Sequence, residues 1–266
     1  MNGQASPSTP TAPLLAARNL VVEVGGRRVV DGLAFDLAAG ESLAILGRNG
    51  AGKSTLLTTL AGLRAPAQGE VLLAGTPYPR LSPRAAALRR GWLGQFQQDP
   101  FGASVLETAL AGRHPHLGRW DWESAADGDR VRAALQRFGL NGMEARQVHT
   151  LSGGERQRLA LATLLVQAPP LYLLDEPLSH LDLNHQMAVL SLFSRFAREQ
   201  GAAVVMVLHE PALAHRFCDR ALLVHGDGRC VQGAADEVLT ADQLSDLYAY
   251  RLRQISDGGQ RCFIPE

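Results

Sequence analysis

Two side chains suited to phosphate chemistry, Lys53 and Ser54, end a glycine-rich segment with the spacing of a phosphate-binding loop (P-loop). The apolar run from Leu43 to Leu46 predicts a strand before it, and a helix is predicted from Thr55 to Leu60. Glycines let backbone N–H groups wrap a phosphate, and a helix N-terminus adds positive partial charge. Lys53 would bind the β and γ phosphates of a nucleotide, and Ser54 would ligate Mg²⁺. The residues predicted to bind the nucleotide are Gly47, Arg48, Asn49, Gly50, Ala51, Gly52, Lys53, Ser54 and Thr55.

A second apolar run, from Leu171 to Leu174, ends in the carboxylates Asp175 and Glu176. The run is too continuous for a half-exposed strand, so it predicts a strand in a parallel sheet covered on both faces. Its carboxylates would emerge at the carboxyl end, where ligands bind in open α/β sheets. We predict that Asp175 holds Mg²⁺ through water and that Glu176 polarises the water that attacks the γ phosphate. Taken alone, the segment could also be an ordinary acidic strand exit.

Between these two motifs the chain reads LSGGERQR, from Leu151 to Arg158. Two glycines and a serine precede a helix predicted from Glu155 to about Gln167, which makes a second anion-binding helix N-terminus. With all three motifs in this order, the chain resembles the nucleotide-binding subunits of ATP-binding cassette (ABC) transporters, from about Leu14 to the C-terminus.

The resemblance implies an α/β fold: a P-loop NTPase core of mostly parallel sheet, with an antiparallel β subdomain and an inserted α-helical subdomain. We predict a disordered tail over residues 1–13 and one domain over 14–266, with the helical subdomain at about 99–165 and a C-terminal extension at about 240–266. Alternation from Leu20 to Leu37 around Gly25 and Gly26 predicts a small antiparallel sheet, and helical spacing predicts a crossover helix from His185 to Gln200.

The resemblance also implies a head-to-tail dimer of two copies that sandwiches two ATP molecules with Mg²⁺. In the family, the signature segment of one subunit closes on the γ phosphate held by the P-loop of its partner. Here that segment is Ser152, Gly153 and Gly154, and Asp182 matches the D-loop, which lies across the dimer interface.

Two further catalytic residues follow from the resemblance. Gln98 resembles the Q-loop glutamine, which touches Mg²⁺ and the attacking water and senses the membrane partner, although Gln95 and Gln97 are alternatives. His209 ends an apolar strand predicted from Ala203 to Leu208, at the position of the switch histidine that contacts the γ phosphate.

Adenine stacking is where the chain departs from the family pattern. The position that often carries an aromatic residue holds Val24, so we predict weak discrimination between purine nucleotides, with Tyr78 as another aromatic that could stack.

Composition favours a protein of the cytosol. Lys and Arg number 26, as do Asp and Glu, so no broad basic surface predicts a nucleic-acid partner. No stretch approaches the ~20 apolar residues of a spanning helix, and no export signal is evident. The three cysteines suit a reducing compartment. The resemblance implies a peripheral location at the cytoplasmic face of the inner membrane, on a permease dimer fed by a periplasmic binding protein.

Three segments resemble importers of iron–siderophore complexes, haem or cobalamin: Gly112 to Gly118, Leu181 to Gln186, and Phe263 to Glu266. We expect cobalamin or an iron–siderophore as the cargo in preference to haem. The alternatives are a soluble cassette ATPase acting on DNA or ribosomes, a transporter ATPase for another substrate, and a nucleotide kinase or GTPase using the same loop.

Overall fold

The computed structural model describes residues 12–95, 102–118 and 120–266, so most of the predicted tail and Gln98 lie outside the described residues. The strands are β1 (Leu15–Val24), β2 (Arg27–Leu37), β3 (Ser42–Leu46), β4 (Gln68–Leu73), β5 (Thr76–Pro77), β6 (Arg90–Leu93), β7 (Leu171–Leu174), β8 (Ala203–Val207), β9 (Arg220–Val224), β10 (Cys230–Ala234), β11 (Leu252–Asp257) and β12 (Gln260–Pro265). The helices are α1 (Lys53–Leu60), α2 (Pro83–Arg89), α3 (Val105–Leu110), α4 (Ala125–Arg137), α5 (Gly153–Gln167), α6 (Leu183–Gln200), α7 (Pro211–Phe217), α8 (Ala235–Val238) and α9 (Ala241–Tyr248), and short 3-10 helices span Tyr78–Arg80, Ala111–His116 and Val148–Thr150.

The central sheet has the strand order β10-β9-β3-β8-β7-β6. All neighbours in it run parallel except β10, which pairs antiparallel with β9. Parallel strands place their carboxyl ends on one edge, so the segments after β3, β8, β7 and β6 begin side by side. Strand β6 is absent from the sequence prediction because four residues, only two of them apolar, give too weak a signal.

Both faces of the central sheet are buried, which explains the continuous apolar runs in its strands. In β3, Leu43 and Ile45 face a core shared with α1 and the antiparallel sheet. Ala44 and Leu46 face the opposite core, which contains α5 and α6. The α/β fold expected from the sequence is confirmed, with parallel and antiparallel sheets and the helices beside them.

A separate antiparallel sheet has the order β2-β1-β4-β5. Strands β1 and β2 pair as a hairpin within the predicted antiparallel sheet, and Gly25 and Gly26 take positive φ angles at its turn. Val24 is the last residue of β1. Its exposed fraction is 42%, and it lies next to the P-loop.

Helices fill the described residues between β6 and β7. Helices α3 and α4 pack on α5, and a nearly buried ion pair joins Arg113 to Asp127 at 2.7 Å. None of the helices in the described ranges is long and apolar enough to cross a bilayer.

Three helices begin two residues earlier than the sequence predicts. Helix α1 begins at Lys53 instead of Thr55, α5 at Gly153 instead of Glu155, and α6 at Leu183 instead of His185. In each case the first turn contains residues with weak helix propensity or follows a glycine, so propensity alone sets the start too late.

Candidate functional site

The loop after β3 is already shaped to surround a phosphate. Gly52 has φ +92°, and a Cβ on it would lie 2.7 Å from the side chain of Val29, so both backbone and space require glycine there. Lys53 is 5% exposed, and its Nζ donates to the carbonyls of Gly47 (2.8 Å) and Arg48 (3.0 Å). Burial lowers the pKa of Lys53, which the carboxylates of Glu176 and Asp175 oppose. An ammonium group is thus held inside the loop, where a phosphate would lie.

Two oxygen ligands suited to Mg²⁺ meet beside this loop. The Ser54 hydroxyl donates to Asp175 Oδ1 at 3.1 Å, and Asp175 is 3% exposed. Burial raises the pKa of Asp175, while the hydrogen bond from Ser54 favours the ionised form. Hard oxygen donors next to a phosphate site fit a magnesium ion, so the structure brings together the two described residues predicted to be its ligands.

Glu176 occupies a strained backbone position, with φ +48°. Its side chain is fixed by three neighbours: His209 Nε2 lies 2.9 Å from Oε1, Gln95 Nε2 donates to Oε2 at 3.3 Å, and the Ser179 hydroxyl lies 3.4 Å from Oε2. A left-handed conformation at a non-glycine residue costs about 1–3 kcal/mol and persists where the surrounding structure holds it. The carboxylate predicted to act as the base is therefore aimed by its surroundings, and the predicted switch histidine contacts it directly.

Gln95, which the sequence offers only as an alternative to Gln98, is a residue of this site. It lies two residues after β6, at the same sheet edge as the P-loop and Glu176. The signal that would have favoured Gln95 is its position just beyond a short strand, and the sequence does not predict that strand, β6. Gln98 lies outside the described residues and stays a prediction.

These segments enclose a cavity of about 450 Å³. Among the described residues that line it there is no Phe, Tyr or Trp. Val24 lies at its edge, while Tyr78 instead lies against Gly62 at the far end of α1. The lining residues are Val24, Asn49, Gly50, Gly52, Lys53, Ser54, Thr55, Gln95, Glu176 and His209.

The signature residues lie elsewhere on the surface of this chain. Ser152 caps α5: its hydroxyl accepts from the Glu155 amide at 3.2 Å, and Glu155 accepts from the Ser152 amide at 2.7 Å. Ser152 and Gly153 are exposed, and so is Asp182, which caps α6. None of these three residues lines the P-loop cavity of its own chain.

Comparison with known proteins agrees with this arrangement. Residues 30–179 match the family described as ABC transporter. The chain is 43% identical to proteins named hemin import ATP-binding protein HmuV from Streptomyces coelicolor and Nocardia farcinica, over 91% of this chain and 85% and 86% of theirs. It is 40% identical to a cobalamin import ATP-binding protein BtuD from Halobacterium salinarum, over 90% of this chain and 59% of that protein.

Solved structures give the same result. A chain from an inward-facing structure described as a metal-chelate type ABC transporter superposes with a TM-score of 0.81 at 30% identity, over 95% of this chain and 97% of the other. A dimeric ATP-binding cassette bound to ADP and phosphate has a TM-score of 0.73 at 24% identity, covering 83% and 98% of the two chains, and supports the fold alone.

Proposed function

The chain belongs to the ABC transporter family, and from that premise we propose that it hydrolyses ATP to power uptake of a metal chelate through a separate membrane permease. The observation that carries the proposal is the meeting of four strand ends, which bring Lys53, Glu176, Gln95 and His209 to one cavity. ATP hydrolysis needs a phosphate cradle, oxygen ligands for a metal ion and a base for water, and this cavity holds all three.

The proposed pocket is completed by a second copy. Ser152 and Gly153 are exposed at the N-terminus of α5 and lie outside the cavity of their own chain. A helix N-terminus with free N–H groups binds anions, so the signature of the partner would contact the γ phosphate. Two such contacts arise from one symmetric pairing, which gives a dimer with two ATP molecules. Asp182, the N-cap of α6, is also exposed, as expected of a residue at that interface.

Each side chain then has a defined task in hydrolysis. Lys53 would exchange its bonds to loop carbonyls for bonds to the β and γ phosphates. Ser54 and Asp175 would hold Mg²⁺, which neutralises charge on the phosphates. Glu176 accepts the proton of the attacking water, and His209, 2.9 Å away, keeps the carboxylate oriented towards the γ phosphate. Gln95 shares Glu176 Oε2 and is placed to position the same water.

A groove between α2 and residues 114–118 and 120–123 is the surface that we propose for the permease. Its volume is about 860 Å³. Trp120 and Trp122, 84% and 87% exposed, stand on its rim. Large exposed aromatic side chains are typical of interaction sites, and a permease would hold the protein at the cytoplasmic face of the membrane. The periplasmic binding protein would act only through that permease.

The cargo that we propose is a metal chelate of the haem, cobalamin or siderophore kind. The relatives at 43% identity are named for hemin import and the one at 40% for cobalamin import, so their names do not support the preference for cobalamin over haem drawn from the sequence. In the proposed mechanism the ATPase contacts the permease and does not contact the cargo.

Co-purification tests this function. The full-length chain, expressed with the permease and binding protein encoded beside it, is expected to form a complex whose ATPase rate rises when the binding protein carries its chelate. Haem, cobalamin and a ferric siderophore are supplied separately, and the unloaded binding protein is the control. Tight binding of the chain to duplex DNA or ribosomes, with no permease recovered, would favour the soluble alternative.

The protein is expected to discriminate weakly between ATP and GTP, because Val24 occupies the position where an aromatic ring would stack on the base. We expect kcat/KM values for ATP and GTP within a few-fold of each other. Val24→Tyr is expected to lower KM for ATP about fivefold or more, since stacking on a base is worth about 1–3 kcal/mol. Val24→Leu, which adds apolar bulk without a ring face, is the matched control and should change KM little. A strong ATP preference in the unmodified protein would contradict this prediction.

A further inference from the structure

Two neighbouring arginines at the start of β2 have different surroundings. Arg28 contacts two carboxylates: its Nε lies 3.4 Å from Glu23 Oε1, and its Nη1 lies 3.1 Å from Asp31 Oδ2. Arg27 reaches the P-loop instead, where its Nη2 donates to the Gly50 carbonyl at 3.4 Å. Among the residues that the structure describes, no carboxylate forms an ion pair with Arg27. The Arg27 guanidinium is therefore a cation beside the phosphate site that no acidic side chain neutralises.

The hairpin turn between β1 and β2 sends the two arginines to opposite faces. Both glycines of the turn have positive φ angles, 57° and 78°, as a two-residue type I′ turn requires. Val24 and Arg27 are direct cross-strand partners across this turn, and Glu23 and Arg28 are the next pair. Side chains alternate between faces along a strand, so Val24 and Arg27 share one face, and Glu23 and Arg28 share the other.

The face that carries Val24 and Arg27 is the one next to the nucleotide cavity. Val24 and Gly50 both line that cavity, and the Arg27 side chain contacts Gly50. Val29, two residues further along β2, also lies against the P-loop, since a Cβ added to Gly52 would lie 2.7 Å from its side chain. The guanidinium group of Arg27 is thus held at the edge of the cavity, across the hairpin from Val24.

A guanidinium group can do the work of an aromatic ring at this place. It is planar, delocalised and weakly hydrated, so it stacks on the flat face of a π-system as an ammonium group cannot. Within the described ranges no aromatic side chain lines the cavity, so no ring is present to hold the base. The bond from Arg27 to the Gly50 carbonyl, at 3.4 Å, is longer than the roughly 2.7–3.2 Å of a typical N–H···O bond. Giving it up for a nucleotide therefore costs little.

We propose that Arg27 holds the base of the bound nucleotide by stacking its guanidinium plane on the purine, in place of the aromatic ring that is absent at Val24. The inference rests on the proposed function and deepens it by adding a substrate-binding residue from the second strand of the hairpin. Adenine and guanine both present a flat π-face, so this contact accepts either base. It therefore agrees with the weak discrimination between ATP and GTP expected above.

Arg27→Ala tests the stack, and the substitution should leave the fold intact because the side chain is exposed. Calorimetry on the full-length chain without Mg²⁺, so that no hydrolysis occurs, measures the Kd of three ligands: ATP, GTP and ribose 5-triphosphate, which has no base. The Kd values of ATP and GTP are each expected to rise about tenfold, the size of one stacking contact. The Kd of ribose 5-triphosphate should stay the same.

Arg27→Lys separates the plane of the side chain from its charge. Lysine keeps the positive charge beside Gly50 but has no flat group, so it is expected to bind ATP and GTP as weakly as the alanine variant does. The matched control is Arg28→Ala, which removes the same charge from the next position. Arg28 pairs with Glu23 and Asp31 on the other face of the hairpin, so its loss should leave all three Kd values unchanged.

Four results would each overturn the stacking role. They are unchanged binding of ATP by Arg27→Ala, full affinity of Arg27→Lys, an equal loss of affinity for ribose 5-triphosphate, which would indicate a contact with phosphate, and a loss for GTP alone, which would indicate in-plane hydrogen bonds to guanine.

Lys53→Ala in the same assay keeps the inference and the proposed function apart. Loss of all three ligands in that variant supports the phosphate site of the proposed function, whatever Arg27 does. Undiminished binding of all three would count against the proposed function itself.

Discussion

Glu176→Gln is expected to lower ATP turnover by about 100-fold or more, because a positioned base contributes about 10²–10⁴-fold and an amide cannot accept the proton of water. Glutamine has nearly the same shape, and it can still meet His209 and Gln95, which hold the carboxylate at 2.9 and 3.3 Å. Binding of ATP at Lys53 should persist, so the variant is expected to accumulate as a closed dimer with ATP trapped. Phosphate release and the size of the complex in solution measure the two effects.

The matched control for this experiment is Glu210→Gln. Glu210 is an exposed glutamate immediately after His209, and its side chain makes no capping bond to α7. Turnover near that of the unmodified protein is expected there. If Glu176→Gln itself turned over ATP at a near-normal rate, Glu176 would not be the base, and another group would have to activate the water.

The second large effect is expected when two inactive variants are mixed, because each ATP pocket is shared between two copies of the chain. A chain with Lys53→Ala loses the charge that anchors the phosphates, and a chain with Ser152→Asp places a carboxylate where the γ phosphate should bind. Aspartate is also a good N-cap, so α5 itself should remain intact. Each variant alone is expected to be nearly inactive. An equal mixture should recover about one quarter of the unmodified rate, because half of the pairs are mixed and each mixed pair rebuilds one of two pockets.

A third substitution shows which chain supplies the base in the rebuilt pocket. The working P-loop and the working Glu176 both belong to the chain with Ser152→Asp. Adding Glu176→Gln to that chain should abolish the recovery, while adding it to the chain with Lys53→Ala should leave recovery intact. The recovered activity could be the same whichever chain carries Glu176→Gln, or either variant alone could be fully active. Each of these results would show that one copy completes its own pocket.

The amino-acid sequence by itself determined the parts whose chemistry is carried by adjacent residues. The P-loop, the Asp175–Glu176 pair and the signature are each contiguous, and each follows or opens an element with a clear pattern, so spacing and residue type were enough. The crossover helix and the antiparallel sheet around Gly25 and Gly26 could also be predicted, because periodicity and turn residues are local properties.

Tertiary structure alone decided which distant residues meet. Gln95 reaches Glu176 because β6 pairs with β7, and four residues at a sheet edge carry too little local pattern to reveal that strand. The contact of His209 with Glu176 depends on β8 lying beside β7. The contact of Gln157 with the Pro177 carbonyl depends on α5 packing across the loop after β7, and spacing along the chain does not encode it. Hydrogen bonds between elements depend on how the whole core packs. A single sequence shows only the local preferences of each segment, so it does not reveal these contacts.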